Sequence, residues 1–335
     1  MELKRFICPV GQGGLAIEHI GDYSVVYDCG SVSSPYMVSK SIDRLSHEVN
    51  LVNILFISHF DRDHVNGIEY LLNRVKVKKA VTSLIPDDLK FVYGKYTNGA
   101  YSDIMTLLRN YNVEIDEIGD KEGNAAPYGY NAIWEWLAKS MMTKGDFAKV
   151  ENLLQVLGID LNKLEVDPIY LDKVKENINN AFKTVFGAKG PNAKGLVVLS
   201  QRCKNTVTRM SMIYQGCEWP TKNTTRLASF ESSCLYVGDA DLKNRTNKKE
   251  LKDFLKKYRV ETPFMLMQIP HHGSKYNIGA SFEKDFDARY YFVNDIDTDR
   301  LEKNPVLYNS LTSQKKLLLS GGKCTDMYVT ETVIK

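Results

Sequence analysis

The 335-residue sequence has no C-x-x-C pair among its six cysteines, at 8, 29, 203, 217, 234 and 324. That excludes a zinc ribbon, and without framework-like spacing the simplest expectation is free thiols in a reducing compartment. No stretch approaches the roughly 18 consecutive apolar residues that a membrane helix needs. The opening MELKRFICPVGQGG also lacks an apolar secretory core. A soluble, cytoplasmic protein with no membrane partner is therefore expected. An excess of one charge is missing too: 44 Lys plus Arg against 41 Asp plus Glu leave a net +3. Any contact with nucleic acid must then be local. No internal repeat of roughly 20 to 50 residues is present, so a solenoid or propeller is not indicated.

The apolar share of 43% and charged share of 25% are those of an ordinary globular chain long enough for a substantial core, read here as one domain over 1–335. Its chemistry concentrates in Ile54 to Gly67, ILFISHFDRDHVNG. An apolar run of strand character ends at Ser58. Four metal-competent side chains then follow within six residues, His59, Asp61, Asp63 and His64. A strand end that opens into a turn ahead of an amphipathic helix lets imidazoles and carboxylates converge on one point.

Ahead of that loop, Lys4–Val10, Leu15–Ile20 and Tyr23–Tyr27 read as an antiparallel meander with a turn at Gly21-Asp22. Gly11-x-Gly13-x-x-Ala16 satisfies a loose dinucleotide fingerprint, but strand composition follows it where a helix is required. Asp28, at the end of the third strand, is placed to brace the metal loop. Lys78–Ile85 gives a further strand. From about 87 to 190 the composition turns mostly helical, over Tyr101–Tyr111, Tyr130–Met142, Lys149–Leu157 and the face Leu171, Val174, Ile178, Phe182, Val185. This stretch is expected to be a helical insertion over the site or a platform for a protein partner. Tyr128, Tyr130, Trp134 and Trp136 in it fit core packing better than base stacking.

Strand patterns resume at Gly195–Ser200, and Gln201 to Ser229 suggests a long hairpin or loop. Ser233–Val237 leads to Gly238-Asp239, and Phe264–Pro270 to His271-His272-Gly273-Ser274. Lys243 to Arg259 reads as a basic helix, of the kind that is usually a solvated face. Ala288–Asn294 and Met327–Ile334 read as strands, with Tyr308–Leu319 between them as a helix.

The loop SHFDRDH at 58–64 resembles the H-x-H-x-D-H signature of the metallo-β-lactamase superfamily, in an H-x-D-x-D-H form. With VGQG at 10–13, DCG at 28–30, VGD at 237–239 and IPHHGS at 269–274, the chain resembles the metallo-β-lactamase domain of ComEC-type competence proteins over about 1–86 and 195–295. The resemblance implies a four-layer αββα sandwich with two divalent metal ions, Mn²⁺ or Zn²⁺, at one edge. It places His59 and Asp61 on the first metal, Asp63 and His64 on the second, Asp239 between them, and His271 or His272 completing the second. His271 is favoured there, with His272 lining the pocket, where it could protonate a leaving group. Asp28 would support the loop, and Ser274 and Lys275 would hold substrate phosphates.

No histidine lies between 64 and 271 or beyond 272. The first site is thus one ligand short unless water, a carboxylate of the insertion or a hydroxyl completes it, and a weaker first metal is expected. The implied activity is a hydrolase using a metal-activated water, foremost a phosphodiesterase on nucleic acid or a small nucleotide, in which Asp63, Asp239 and His272 are the catalytic residues. An ester, lactone or thioester hydrolase on the same scaffold is the alternative, as is a catalytically degenerate metal-binding interaction module.

Overall fold

The computed structural model describes the chain apart from 120–124, 189, 204–207, 217–222, 228–231, 259, 261–262, 296–298, 321–326 and 335, and of 208–216, 223–227, 327–329, 331 and 333 it describes only the backbone. Arg259, Cys217, Cys324 and parts of the 201–229 stretch lie outside the described residues.

Six strands open the chain: β1 (Glu2–Ile7), β2 (Gly13–Ile20), β3 (Tyr23–Ser31), β4 (Leu51–Phe56), β5 (Lys76–Ser83) and β6 (Glu114–Ile118). After them come β7 (Ala126–Tyr130), β8 (Trp134–Ser140), β9 (Leu196–Arg202), β10 (Thr208–Gly216), β11 (Asn223–Leu227) and β12 (Cys234–Tyr236). The last four are β13 (Phe264–Gln268), β14 (Ala288–Asn294), β15 (Leu317–Ser320) and β16 (Met327–Ile334). They form a nine-stranded sheet in the order β11-β10-β16-β1-β2-β3-β4-β5-β6 and a seven-stranded sheet in the order β15-β14-β13-β12-β9-β8-β7. The β10–β11 pair is the long hairpin expected after residue 200.

Each sheet is antiparallel on one side and parallel on the other. β3 to β6 run parallel, as do β12 to β15. Parallel neighbours need crossover connections. The helices Pro35–Glu48, Ile68–Arg74 and Ala100–Asn110 supply them in the first sheet, and Arg245–Lys257 and Pro305–Ser313 in the second.

The alternation of side chains along the strands sorts the core into layers. Val26, Leu55, Ile57 and Ala80 pack outward against the helices of the first sheet. Their neighbours Val25, Tyr27, Ile54, Phe56 and Val81 face Leu196, Val198, Cys234 and Tyr236 of the second sheet. On the far side Val197, Leu199, Leu235 and Tyr291 pack against Leu251, Phe254 and Leu307. This is the expected four-layer αββα sandwich.

Two readings are corrected. Tyr130–Met142, taken as helical, contains β8, and with β6 and β7 it places three strands inside the 87–190 stretch. Trp134 and Trp136 alternate onto the inner face of β8, where both are fully buried. Their indole N–H groups donate to Ser200 Oγ at 2.8 Å and Glu18 Oε2 at 2.7 Å, so neither offers a ring to a base. The Tyr308–Leu319 segment holds a helix only to Ser313, and Leu317 begins β15. Gly13 opens a strand, β2, so the glycine-rich turn has no helix to bind a pyrophosphate. Among the described residues no helix is long and apolar enough to cross a membrane.

Candidate metal centre

Four strand ends meet at one edge of the sandwich. β3 delivers Asp28, β4 delivers Ser58 to His64, β12 delivers Gly238-Asp239 and β13 delivers His271-His272. All four lie at the carboxyl ends of parallel strands, where loops from neighbouring strands emerge side by side. The two loops of the second sheet are tied together by Gln268, whose Oε1 accepts from Val237 N–H and Gly238 N–H at 2.9 Å each. His271 N–H donates to Gly238 O at 3.1 Å.

Close backbone approach demands glycine at two of these points. A Cβ at Gly30 would lie 2.6 Å from Val65 N, because the turn carrying Asp63 and His64 rests on that glycine. At Gly238, with φ +51°, a Cβ would meet Ser58 Cβ at 2.8 Å. Three non-glycine residues at the site also sit in the left-handed region, Asp28 (φ 55°), His271 (φ 49°) and His272 (φ 52°). Strain of that kind collects where geometry serves chemistry.

All four imidazoles are held by Nδ1. His64 Nδ1 pairs with Asp28 Oδ2 at 2.8 Å, His271 Nδ1 with Asn277 Oδ1 at 2.7 Å and His272 Nδ1 with Asn294 O at 2.6 Å. His59 Nδ1 faces Ser58 Oγ at 2.9 Å, and that hydroxyl donates to Asp28 Oδ2 at 2.8 Å. Since each partner accepts, each ring places its N–H on Nδ1 and leaves Nε2 as the atom that would bind a metal once it gives up any proton it holds. Asn277 is itself oriented, its Nδ2 donating to Asp239 O at 2.8 Å.

The Nε2 atoms converge on the carboxylates. Asp239 Oδ2 lies 3.7 Å from His59 Nε2 and 3.6 Å from His271 Nε2, while its Oδ1 lies 3.4 Å from His64 Nε2. Asp61 Oδ2 is 3.9 Å from His59 Nε2. Asp63 Oδ2 is 3.1 Å from His272 Nε2 and 4.0 Å from His64 Nε2. Among the described residues two groups have ligand atoms mutually within 4.8 Å: His59, His64, Asp239, and Asp63, His64, His272. The geometry thus puts His272 beside Asp63 and His64, where His271 was favoured from sequence, and puts His271 on the other face of Asp239.

The electrostatics call for positive charge. Burial opposes ionisation of Asp239, but the neighbouring His271, His59 and His64 hold its carboxyl well below the usual range. Burial opposes the His64 imidazolium, yet Asp28 and Asp239 hold it well above the usual histidine range. Asp63 is likewise held low, against burial, by its bond with His272. His59 is lowered by burial and by the charge on His64. Among the described residues, His59 Nε2, His64 Nε2 and Asp239 Oδ1 are buried without a hydrogen-bond partner. Buried polar atoms of that kind need a partner, and divalent cations match this mixed imidazole and carboxylate set.

Ser274 and Lys275 line a cleft of about 410 Å³ with His271, Tyr276, Arg300 and Lys303. Two lysines of the basic helix face elsewhere: Lys248 and Lys252 bind Asp285 at 2.7 and 2.5 Å. Sequence reading missed the side chains of Asn192, Asn277 and Gln268 and the backbone carbonyl of Asn294. None carries a sequence signal, since a single amide or carbonyl shows no pattern until the fold gives it a partner.

The two mixed sheets, their outer helices and the strand-end cluster define the metallo-β-lactamase fold. No family model and no curated protein matches the sequence. Similar solved structures include the metallo-β-lactamase fold protein YhfI from Bacillus subtilis, 10% identical over 96% of this chain and 98% of that one, with a TM-score of 0.45. A diphosphatase of the PhnP family is 8% identical over 99% of this chain and 100% of that one, with a TM-score of 0.43. The metallo-β-lactamase MIM-1 from Novosphingobium pentaromativorans is 10% identical over 92% and 89%, with a TM-score of 0.35.

Proposed function

We propose that this chain is a metal-dependent phosphodiesterase with two cation positions that share Asp239. His59, Asp61 and His271 surround the first with Asp239 Oδ2, and Asp63, His64 and His272 surround the second with Asp239 Oδ1. On this reading His271 fills the place that the sequence left open at the first position. The observation that carries it is the uniform orientation of four imidazoles, each anchored at Nδ1 with Nε2 turned inward, those of His59, His64 and His271 toward Asp239 and that of His272 toward Asp63. Bound divalent cations would supply a water acidic enough to attack at neutral pH and neutralise charge on a phosphoryl oxygen. Donors of mixed nitrogen and oxygen type suit Zn²⁺ and Mn²⁺ alike.

The residues around the pair supply the rest. Asp239 stays ionised because three imidazoles face it, and Asp28 keeps His64 in register. Ser274, Lys275, Arg300 and Lys303 line the cleft that opens beside His271, where a phosphate of a nucleotide or nucleic acid would be held. The four described cysteines are unpaired, as suits a reducing compartment.

The test pairs metal content, by mass spectrometry on protein purified without chelator, with hydrolysis of bis-p-nitrophenyl phosphate in added Mn²⁺ or Zn²⁺. Close to two ions per chain, with cleavage that Asp63→Ala abolishes, is expected. Protein that holds no metal and cleaves nothing under either ion would end this reading.

A further inference from the structure

Asp61 is the exposed member of the cluster. Its side chain is 43% exposed, against 1% for His59, 8% for Asp239 and 16% for Asp63. A carboxylate that open would sample several rotamers and lose that freedom when it binds a cation. It is held instead by a residue 131 positions away: Asn192 Nδ2 donates to Asp61 Oδ2 at 2.5 Å.

Asn192 sits in a short turn, Gly190–Lys194, that is anchored to both loops of the site. Ala193 O accepts from Asp241 N–H at 3.0 Å and from Asn247 Nδ2 at 3.1 Å, just past Asp239. Leu196 N–H donates to Ser58 O at 2.8 Å, just ahead of His59. Gly190, at φ +62°, lies so close under the Tyr96 hydroxyl that a Cβ would fall 1.8 Å from it. Asn192 therefore stands on a rigid platform built from the same backbone that carries the candidate ligands. Its Oδ1 is buried and takes no hydrogen bond among the described residues, so the contact with Asp61 is what this amide makes.

We infer that Asn192 is a positioning residue for the first cation: its side-chain N–H fixes the Asp61 carboxylate toward the His59 position and sets how tightly that position holds its ion. The inference rests on the dinuclear reading above. It supplies a physical reason for Asp61, which stands where the superfamily signature has histidine and is exposed, to keep one orientation toward His59. Supporting hydrogen bonds to metal ligands are worth roughly 10- to 100-fold in affinity.

The experiment is a calorimetric titration of the metal-free full chain with Mn²⁺, and separately with Zn²⁺. In the unsubstituted protein two binding events are expected. In Asn192→Ala and in Asn192→Leu, which keeps most of the volume, one event should weaken about 10- to 100-fold while the other keeps its constant. Asp61→Ala should weaken the same event. The double variant Asn192→Ala/Asp61→Ala should be no weaker than Asp61→Ala, because the amide acts through that carboxylate. Asn192→Ser, which disturbs the turn least, repeats the measurement if a larger change lowers folding by circular dichroism. Two events with unaltered constants in the Asn192 variants, equal weakening of both, or additive losses in the double variant would overturn the inference alone. Fewer than two events in the unsubstituted protein would overturn the dinuclear reading as well.

Discussion

Asp28 accepts a hydrogen bond from His64 at 2.8 Å, and the same carboxylate oxygen receives the Ser58 hydroxyl that supports His59. One buried acid thus orients an imidazole on each side of Asp239. Asp28 Oδ1 also accepts Ser58 N–H at 2.7 Å, which locks the start of the metal loop to the end of β3. Asp28→Asn is expected to weaken both cation positions by about 10- to 100-fold, and Ser58→Ala chiefly the one at His59. Calorimetric titration separates the two patterns; equal effects from both substitutions would contradict the relay.

Gly30→Ala tests the packing beneath the loop. The added methyl group would sit 2.6 Å from Val65 N and 2.7 Å from His64 C, both backbone atoms that cannot rotate away. The turn must move off β3, costing about 1–3 kcal/mol in stability and displacing Asp63 and His64 from their partners. Urea denaturation should show the loss, and metal binding should fall with it.

Arg5 and Glu18 form a buried ion pair at 2.6 Å, with both side chains at or below 3% exposure. Glu18 also accepts from Ser200 Oγ, Trp136 Nε1 and Tyr236 Oη, each at 2.7 Å, so strands of both sheets share one carboxylate. Glu18→Gln or Arg5→Met leaves the other partner buried and uncompensated, and is expected to destabilise the fold by about 3–5 kcal/mol. Chemical denaturation checks this. A double change to Met and Leu should recover only part of the loss, since it removes the unpaired charge but leaves Ser200 Oγ, Trp136 Nε1 and Tyr236 Oη without their acceptor.

Asp285 links the helix Arg245–Lys257 to the short helix Phe282–Asp285. Burial acts against ionisation, but Lys248, Lys252 and the Ser281 hydroxyl lower its pKa to about 2. A carboxyl depressed on folding stabilises the native state above its unfolded value, near 3.8, and loses that contribution as pH falls through the folded value. The pair is partly open to solvent, so the contribution is about 1 kcal/mol after screening. Thermal melts should show Asp285→Asn less stable than the unsubstituted chain at pH 7, with the gap closing as pH drops from 4 toward 2. A gap that stays constant over that range would refute the linkage.

Much of the fold was legible because burial writes a period into the strands. Val25–Tyr27, Ile54–Ile57 and Leu196–Leu199 are apolar on consecutive residues since both faces of a middle sheet layer are covered. The candidate ligands were legible for a related reason: His59, Asp61, Asp63 and His64 crowd into six residues directly after such a strand. β8 was not. Its Leu, Ala, Glu and Lys content is that of a helix, and only its pairing with β7 and β9 decides for a strand. Nor could adjacent histidines be told apart in one dimension. With left-handed backbone angles at both, His271 turns its ring to Asp239 and His272 to Asp63, a choice made by how the β13 loop meets Gly238 and Asn294. Asn192 shows the same limit, since its partner lies 131 residues away. By itself the sequence determined which chemistry could gather at the strand ends, because ligand types and strand periods are local properties. Which imidazole faces which carboxylate, and which distant amide holds it there, only the packing of two sheets face to face decided.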